Sequence, residues 1–219
     1  EFARYFLPLV AGFNLKIKRF QNQRETTFKD ISEWKRNQSS KPVMWLHCAS
    51  LGEYEMIVPL ISDSEVQSKF EVVVSFFSAS GYDHAKTEGI VRGKFYLPLD
   101  RIGAMKQLVS QVNPSVFVLV KYDFWLNLMR ALNKSDCTNV VVNGQFRTGQ
   151  FITSALGSPW RNQLKKFHRI YVQYESSMKV LESLSFENTT LSNDLRYDRA
   201  MQLKTKNQEI PSIAAFTKN

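Results

Sequence analysis

Short β-branched runs recur between stretches whose apolar residues fall at helical spacing. No other feature of this sequence restricts its fold as strongly. Residues 43–47, 71–77, 94–97, 116–120, 139–142 and 170–173 read as strands. Between them, Met56, Ile57, Leu60 and Ile61 share one helical face. Ile102, Met105, Leu108, Val109 and Val112 form a second stripe, and Phe124, Trp125, Leu128, Met129 and Leu132 a third. Residues 80–88, 160–167 and 175–184 also read as helices. Strands that alternate with helices of about ten residues require right-handed crossovers. The expected fold is therefore α/β, a Rossmann-like parallel sheet with helices on both faces.

The flanks read differently. Phe2, Tyr5, Phe6, Leu9, Val10 and Phe13 recur at helical spacing, and Lys16, Lys18, Arg19 and Arg24 follow. An apolar aromatic face beside a basic cluster suits a membrane–water interface near anionic headgroups, and it equally suits a first helix docked on the domain. Residues 33–42 are polar and read as a connector. The expected organisation is an amphipathic, basic, membrane-proximal segment over 1–32, a Rossmann-like domain over 33–200, and a polar tail or linker over 201–219.

Composition removes several classes. With 43% hydrophobic and 13% aromatic residues, the chain of 219 can bury a core. Cys48 and Cys137 belong to no CxxC pair and make no disulfide framework. The net charge of +9 favours phosphate-bearing partners without choosing among nucleic acid, nucleotide and anionic lipid. No apolar run is long enough to span a bilayer. GxGxxG, GxxxxGK[ST] and GxSxG are absent, so redox-dinucleotide, P-loop and serine-hydrolase readings lack local support. No His–Glu spacing indicates a zinc site, and neither a metal nor a cofactor is expected.

Sites in open parallel sheets form beyond the carboxyl ends of the strands. The segments there are His47-Cys48-Ala49-Ser50-Leu51-Gly52-Glu53, Ser78-Ala79-Ser80-Gly81, Lys121-Tyr122-Asp123 and Asn143-Gly144-Gln145-Phe146-Arg147. Ser50 and Gly52 allow a close turn, and free amides at a helix start favour an anion. Glu53 follows in the first turn. Its carboxylate either accepts a proton from a substrate hydroxyl or complements the helix dipole. His47 either orients a substrate or holds a structural hydrogen bond. Lys165, Lys166, His168 and Arg169 form a basic cluster, either a solvated face or a phosphate contact.

Five segments in register resemble the amino-terminal half of the 3-deoxy-D-manno-octulosonic acid (Kdo) transferases. They are the His47–Glu53 segment, the Ser80-Gly81 turn, Tyr96-Leu97-Pro98-Leu99-Asp100, the Lys121–Asn127 segment, and Ser192-Asn193-Asp194-Leu195-Arg196-Tyr197-Asp198. The resemblance implies a GT-B enzyme of two Rossmann-like domains facing a cleft, this chain being the half that receives the acceptor. It implies transfer of Kdo from CMP-Kdo to a lipid A precursor, at the cytoplasmic face of the inner membrane. The donor-binding domain is expected to lie outside this chain, which alone should not turn over. By the same resemblance Glu53 is the general base and Asp123 the second carboxylate. Ser50, Gly52, Ser80, Gly81, Lys121 and Arg147 would contact the acceptor, and Asn193, Asp194, Arg196 and Asp198 the donor side of the cleft.

The sequence departs from the family where Lys121 stands for a glutamate, Asp123 for a longer glutamate, Leu126 for a proline, and Asn143-Gly144-Gln145 for Asn-Ala-Arg. Lys121 is then suited to a lipid phosphate, as a compact point charge. Two other readings remain: a non-catalytic lipid A-binding module descended from this domain, and a basic Rossmann-like protein that binds nucleic acid. The latter lacks any motif of its class, so no nucleic-acid partner is expected.

Overall fold

A computed structural model describes residue 22 and residues 24–205. The apolar face at 2–13, Lys16, Lys18, Arg19 and the tail from 206 lie outside the described residues. The described elements are α1 (Thr27–Arg36), β1 (Val43–Cys48), α2 (Leu51–Ile61), α3 (Ser64–Lys69), β2 (Glu71–Phe76), α4 (Ala79–His84) and β3 (Gly93–Tyr96). They continue with α5 (Ile102–Val112), β4 (Val116–Val120), α6 (Leu126–Leu132), β5 (Thr138–Gly144), α7 (Ser158–Leu164), β6 (Arg169–Val172), α8 (Glu175–Ser183), β7 (Thr189–Leu191) and α9 (Leu195–Thr205).

The strands form one parallel seven-stranded sheet in the order β3-β2-β1-β4-β5-β6-β7. Its centre is covered on both faces, which is why β1 and β2 are buried throughout. Alternation along β1 sends Val43 and Trp45 to one core and Met44, Leu46 and Cys48 to the other. Helices α1, α5, α6, α7 and α8 close the first core; α2, α4 and the start of α9 close the second. The doubly wound architecture expected from the sequence is present.

Several boundaries differ from the sequence reading. Helix α1 runs to Arg36, so the polar stretch from 33 begins inside it. Trp34 holds that end down: it is buried, and its indole donates to Glu71 Oε1 at 2.6 Å. Glu71 Oε2 accepts the Ser39 amide at 2.6 Å, fixing the chain as it enters β1. Phe124 and Trp125 share the spacing of α6 but precede it; Phe124 instead stacks on Phe146 with centroids 5.6 Å apart. Strand β7, three residues at the sheet edge, carries no apolar run and was not legible. Helix α9 continues past Arg199, where the sequence suggests a loose tail.

Candidate functional site

The central strand β1 ends at Cys48, and the chain turns at once into α2. Ser50 is the N-cap in extended conformation, yet its side chain makes no capping bond. Glu53 reaches back past the cap residue, and its Oε2 accepts the Ala49 N–H at 2.5 Å. The residue is 7% exposed. Burial pushes its carboxyl above the ordinary value, while the Ala49 amide, Lys121 and His47 pull it back.

Lys121 and Asp123 leave β4 beside β1. Lys121 takes a left-handed conformation, φ 65°, with its amide donating to Val142 O at 2.9 Å. This sharp turn brings Asp123 back over β1, where Oδ2 lies 3.1 Å from His47 Nε2. The ring's other nitrogen, Nδ1, is 2.9 Å from Ser75 Oγ, which also accepts the Trp45 indole N–H at 2.8 Å. The carboxylate only accepts, so Nε2 carries a proton and donates to Asp123, while Nδ1 shares its contact with the Ser75 hydroxyl. Every polar atom of this fully buried chain is then used. Burial raises the Asp123 carboxyl, but the His47 hydrogen bond and charge outweigh it, and the group sits below its usual value. The buried Trp125 indole faces the same carboxylate without hydrogen-bond geometry.

The other sequence-selected residues lie on the flanking turns and helix starts. Ser78 caps α4 through the Gly81 amide at 3.3 Å, and Ser80 Oγ meets Ser78 Oγ at 2.9 Å. Gly81 has a packing reason: a Cβ there would lie 2.3 Å from Phe76 Cδ1. At Gly52 a Cβ would meet nothing within 4 Å, so that face of α2 is open. Arg147 is exposed, its amide bound to Gln150 Oε1 at 3.1 Å. Asn193 and Asp198 are exposed at the start of α9. Asp194 accepts the Arg196 amide at 3.0 Å and its Nε at 2.7 Å, and although burial opposes it, Arg196 holds the carboxyl below its usual value. Helix α9 is nonetheless brought to the site, because Arg199 Nε donates to Glu55 on α2 at 2.9 Å.

Asn143 completes that connection. It is buried and left-handed, φ 59°, at the end of β5. Its Oδ1 accepts from Gln173 Nε2 at 2.6 Å and from the Leu195 amide at 3.3 Å, and its Nδ2 donates to Met56 Sδ at 3.3 Å. Gln145 Nε2 donates to Gln173 Oε1 beside it. Ser75, Trp45 and Gln173 were not singled out from the sequence. Their roles depend on strand neighbours, such as the His47–Ser75 pairing of β1 with β2. Among the described residues, no group of three His, Cys, Asp or Glu side chains is placed to hold a metal ion, and no helix is long and apolar enough to cross a membrane.

The fold and the site define a Rossmann-like domain of the GT-B kind, with carboxylates gathered at the carboxyl ends of its central strands. Residues 19–199 match the family model of the 3-deoxy-D-manno-octulosonic-acid transferases (Kdo transferases), and the chain belongs to that family. A 3-deoxy-D-manno-octulosonic acid transferase of Aquifex aeolicus is 26% identical over 162 residues, covering 72% of this chain and 41% of the relative. One from Chlamydophila psittaci is 32% identical over 107 residues, covering 48% and 25%. A bifunctional glycosyltransferase/methyltransferase of Fusobacterium nucleatum is 25% identical over 173 residues, covering 77% and 26%. The chain therefore spans less than half the length of these relatives. In fold it is similar to the UDP-GlcNAc 2-epimerase of Neisseria meningitidis, with TM-score 0.56 and 12% identity over 78% of this chain and 51% of that one.

Proposed function

We propose that this chain is the acceptor-binding half of a glycosyltransferase that moves Kdo from CMP-Kdo to a lipid A precursor, at the cytoplasmic face of the inner membrane. Membership of the Kdo transferase family supports the reaction class. The single observation that supports the mechanism is the state of Glu53: buried, raised by that burial, and fixed through one oxygen by the Ala49 amide. A general base works best with its pKa moved towards the operating pH, and burial moves a carboxylate that way.

In the proposed step, an acceptor hydroxyl gives its proton to Glu53 Oε1 while its oxygen attacks the anomeric carbon of Kdo. The bond from that carbon to the CMP phosphate breaks, and CMP leaves with the electron pair. Asp123, held by His47, offers a fixed negative charge to acceptor hydroxyls. Lys121 and Arg147 supply cations for the acceptor phosphates. The open face at Gly52 lets the glycolipid approach α2 closely. Asn193 and the first turn of α9 face the donor half.

The test is Kdo transfer in a reaction that contains this chain and a CMP-Kdo-binding half. Glu53→Gln is expected to lower kcat by about 10²–10⁴ while lipid binding persists. Equal turnover by the wild type and Glu53→Gln removes Glu53 as base. Lipid binding with no transfer in any mixture favours a non-catalytic lipid A-binding module.

A further inference from the structure

Beside Asp123 lies a hollow of about 320 Å³. Tyr122, Phe124, Phe151 and Trp160 line it, and Asp123 is the only charged side chain among its lining residues. Phe151 and Trp160 meet edge to face, centroids 5.0 Å apart and planes at 89°, so two of the walls form a right-angled corner. Trp160 is fixed there by its indole N–H, which donates to Phe124 O at 3.1 Å. Phe124 is fixed in turn by its stacking on buried Phe146.

Two of these rings are left in water: Tyr122 is 52% exposed and Phe151 53% exposed. They flank a carboxylate whose Oδ2 is tied to His47 and whose side chain is 28% exposed. Aromatic faces carry the negative end of the ring quadrupole, and rings around a carboxylate add to its attraction for a positive charge. Lys121, the nearest cation in sequence, is not among the residues that line the hollow. An anion would meet a held carboxylate here and be repelled. Charge and shape together therefore select one class of occupant.

We propose that this hollow binds an organic cation, an ammonium group with small alkyl substituents, held by the ring faces of Phe151, Trp160 and Tyr122 and by the charge of Asp123. The hollow shares Asp123 with the proposed acceptor contacts, and its occupancy requires neither a donor half nor turnover.

Titrating choline into the 219-residue chain tests this directly. The readouts are the amide NMR shifts of Gln150, Phe151 and Ile152. Dimethylbutanol, the neutral carbon isostere of choline, is the control, and methyl glucoside is the competitor. Choline is expected to saturate these shifts, with dimethylbutanol about tenfold weaker or worse. Asp123→Asn and Phe151→Ala should each weaken choline about tenfold. Phe151→Ala alters an exposed ring, so its melting temperature should match the wild type and its binding result stands apart from any folding defect. Equal binding of choline and dimethylbutanol overturns the proposal, as does undiminished binding by Asp123→Asn. Saturation by methyl glucoside in place of choline makes the hollow a sugar subsite and also overturns it. None of these outcomes depends on Kdo transfer, which the Glu53→Gln experiment reads separately.

Discussion

Asp100 caps a helix to which it does not belong, and Asn127 returns the bond. The Asp100 carboxylate accepts the main-chain amides of Asn127 and Leu128, each at 3.0 Å, while Asn127 Nδ2 donates to Asp100 O at 2.8 Å. The N-cap residue of α6, Trp125, has no capping side chain of its own. Two segments that read as separate motifs in the sequence are therefore one device. It clamps the far end of the turn that carries Lys121 and Asp123 and so helps position the site.

Removing this cap should destabilise the domain. Asp100→Ala is expected to cost about 1–2 kcal/mol in urea denaturation, the range for a lost helix cap. The pH dependence has a definite sign. Burial raises the Asp100 carboxyl above 3.8 despite the two amides. The folded state then holds that proton more tightly than the unfolded one. This group's contribution to stability is greatest below its unfolded value and falls as pH rises through the folded value. Asp100→Asn should flatten that dependence; an unchanged profile means that Asp100 is not its source.

The two site glycines should separate stability from function. Gly81→Ala places a Cβ 2.3 Å from a ring carbon of buried Phe76, and should cost roughly 1–3 kcal/mol through overpacking. Gly52→Ala meets nothing within 4 Å and replaces a glycine inside α2, so the melting temperature should hold or rise, by up to about 1 kcal/mol in stability. If the acceptor approaches that open face, Gly52→Ala should still weaken lipid binding. Normal lipid affinity in a stable Gly52→Ala protein would separate Gly52 from the acceptor path.

What was legible in the sequence was local. Runs such as Val72-Val73-Val74 are buried on both faces and announce central strands. Glu53 falls in the first turn of a helix because an apolar stripe follows it. The partners of Asp123 were not legible, because they depend on strand order: β4 lies beside β1, and β1 beside β2. Only that adjacency joins Asp123, His47 and Ser75. The start of α6 was misplaced for a similar reason, since its cap comes from the loop after β3 and no local signal marks it. Strand β7 is short and half exposed at the edge, where apolar patterning is weakest.

The rate of transfer should carry the signature of Glu53 and its neighbour. Burial lifts the Glu53 carboxyl above 4.5, and Lys121 opposes the rise. The acid limb of the kcat/KM profile should therefore lie above the ordinary glutamate value. Lys121→Met removes the opposing cation, so the limb should move to higher pH. A limb that stays in place, or moves down, separates the ionising group from Glu53.

The last prediction concerns the buried relay behind Asp123. Burial alone would raise this carboxyl; its depressed value rests mainly on His47. Stability from the His47–Asp123 contact is thus present above the unfolded value and is lost as pH falls through the folded value, below 3.8. In His47→Ala the largest remaining influence is burial, so the Asp123 midpoint should move upward. The side-chain carboxyl carbon shift of Asp123, followed against pH, reads this directly. Ser75→Ala acts one step further back. It strips the Trp45 indole and His47 Nδ1 of their shared partner in a fully buried position, at a cost of about 1–3 kcal/mol. If Ser75 only fills space, Ser75→Ala leaves stability unchanged; if it sets the ring tautomer, the His47 ring-nitrogen shifts change with it. An Asp123 midpoint that is the same in wild type and His47→Ala would show that the carboxylate is held by something other than the imidazole.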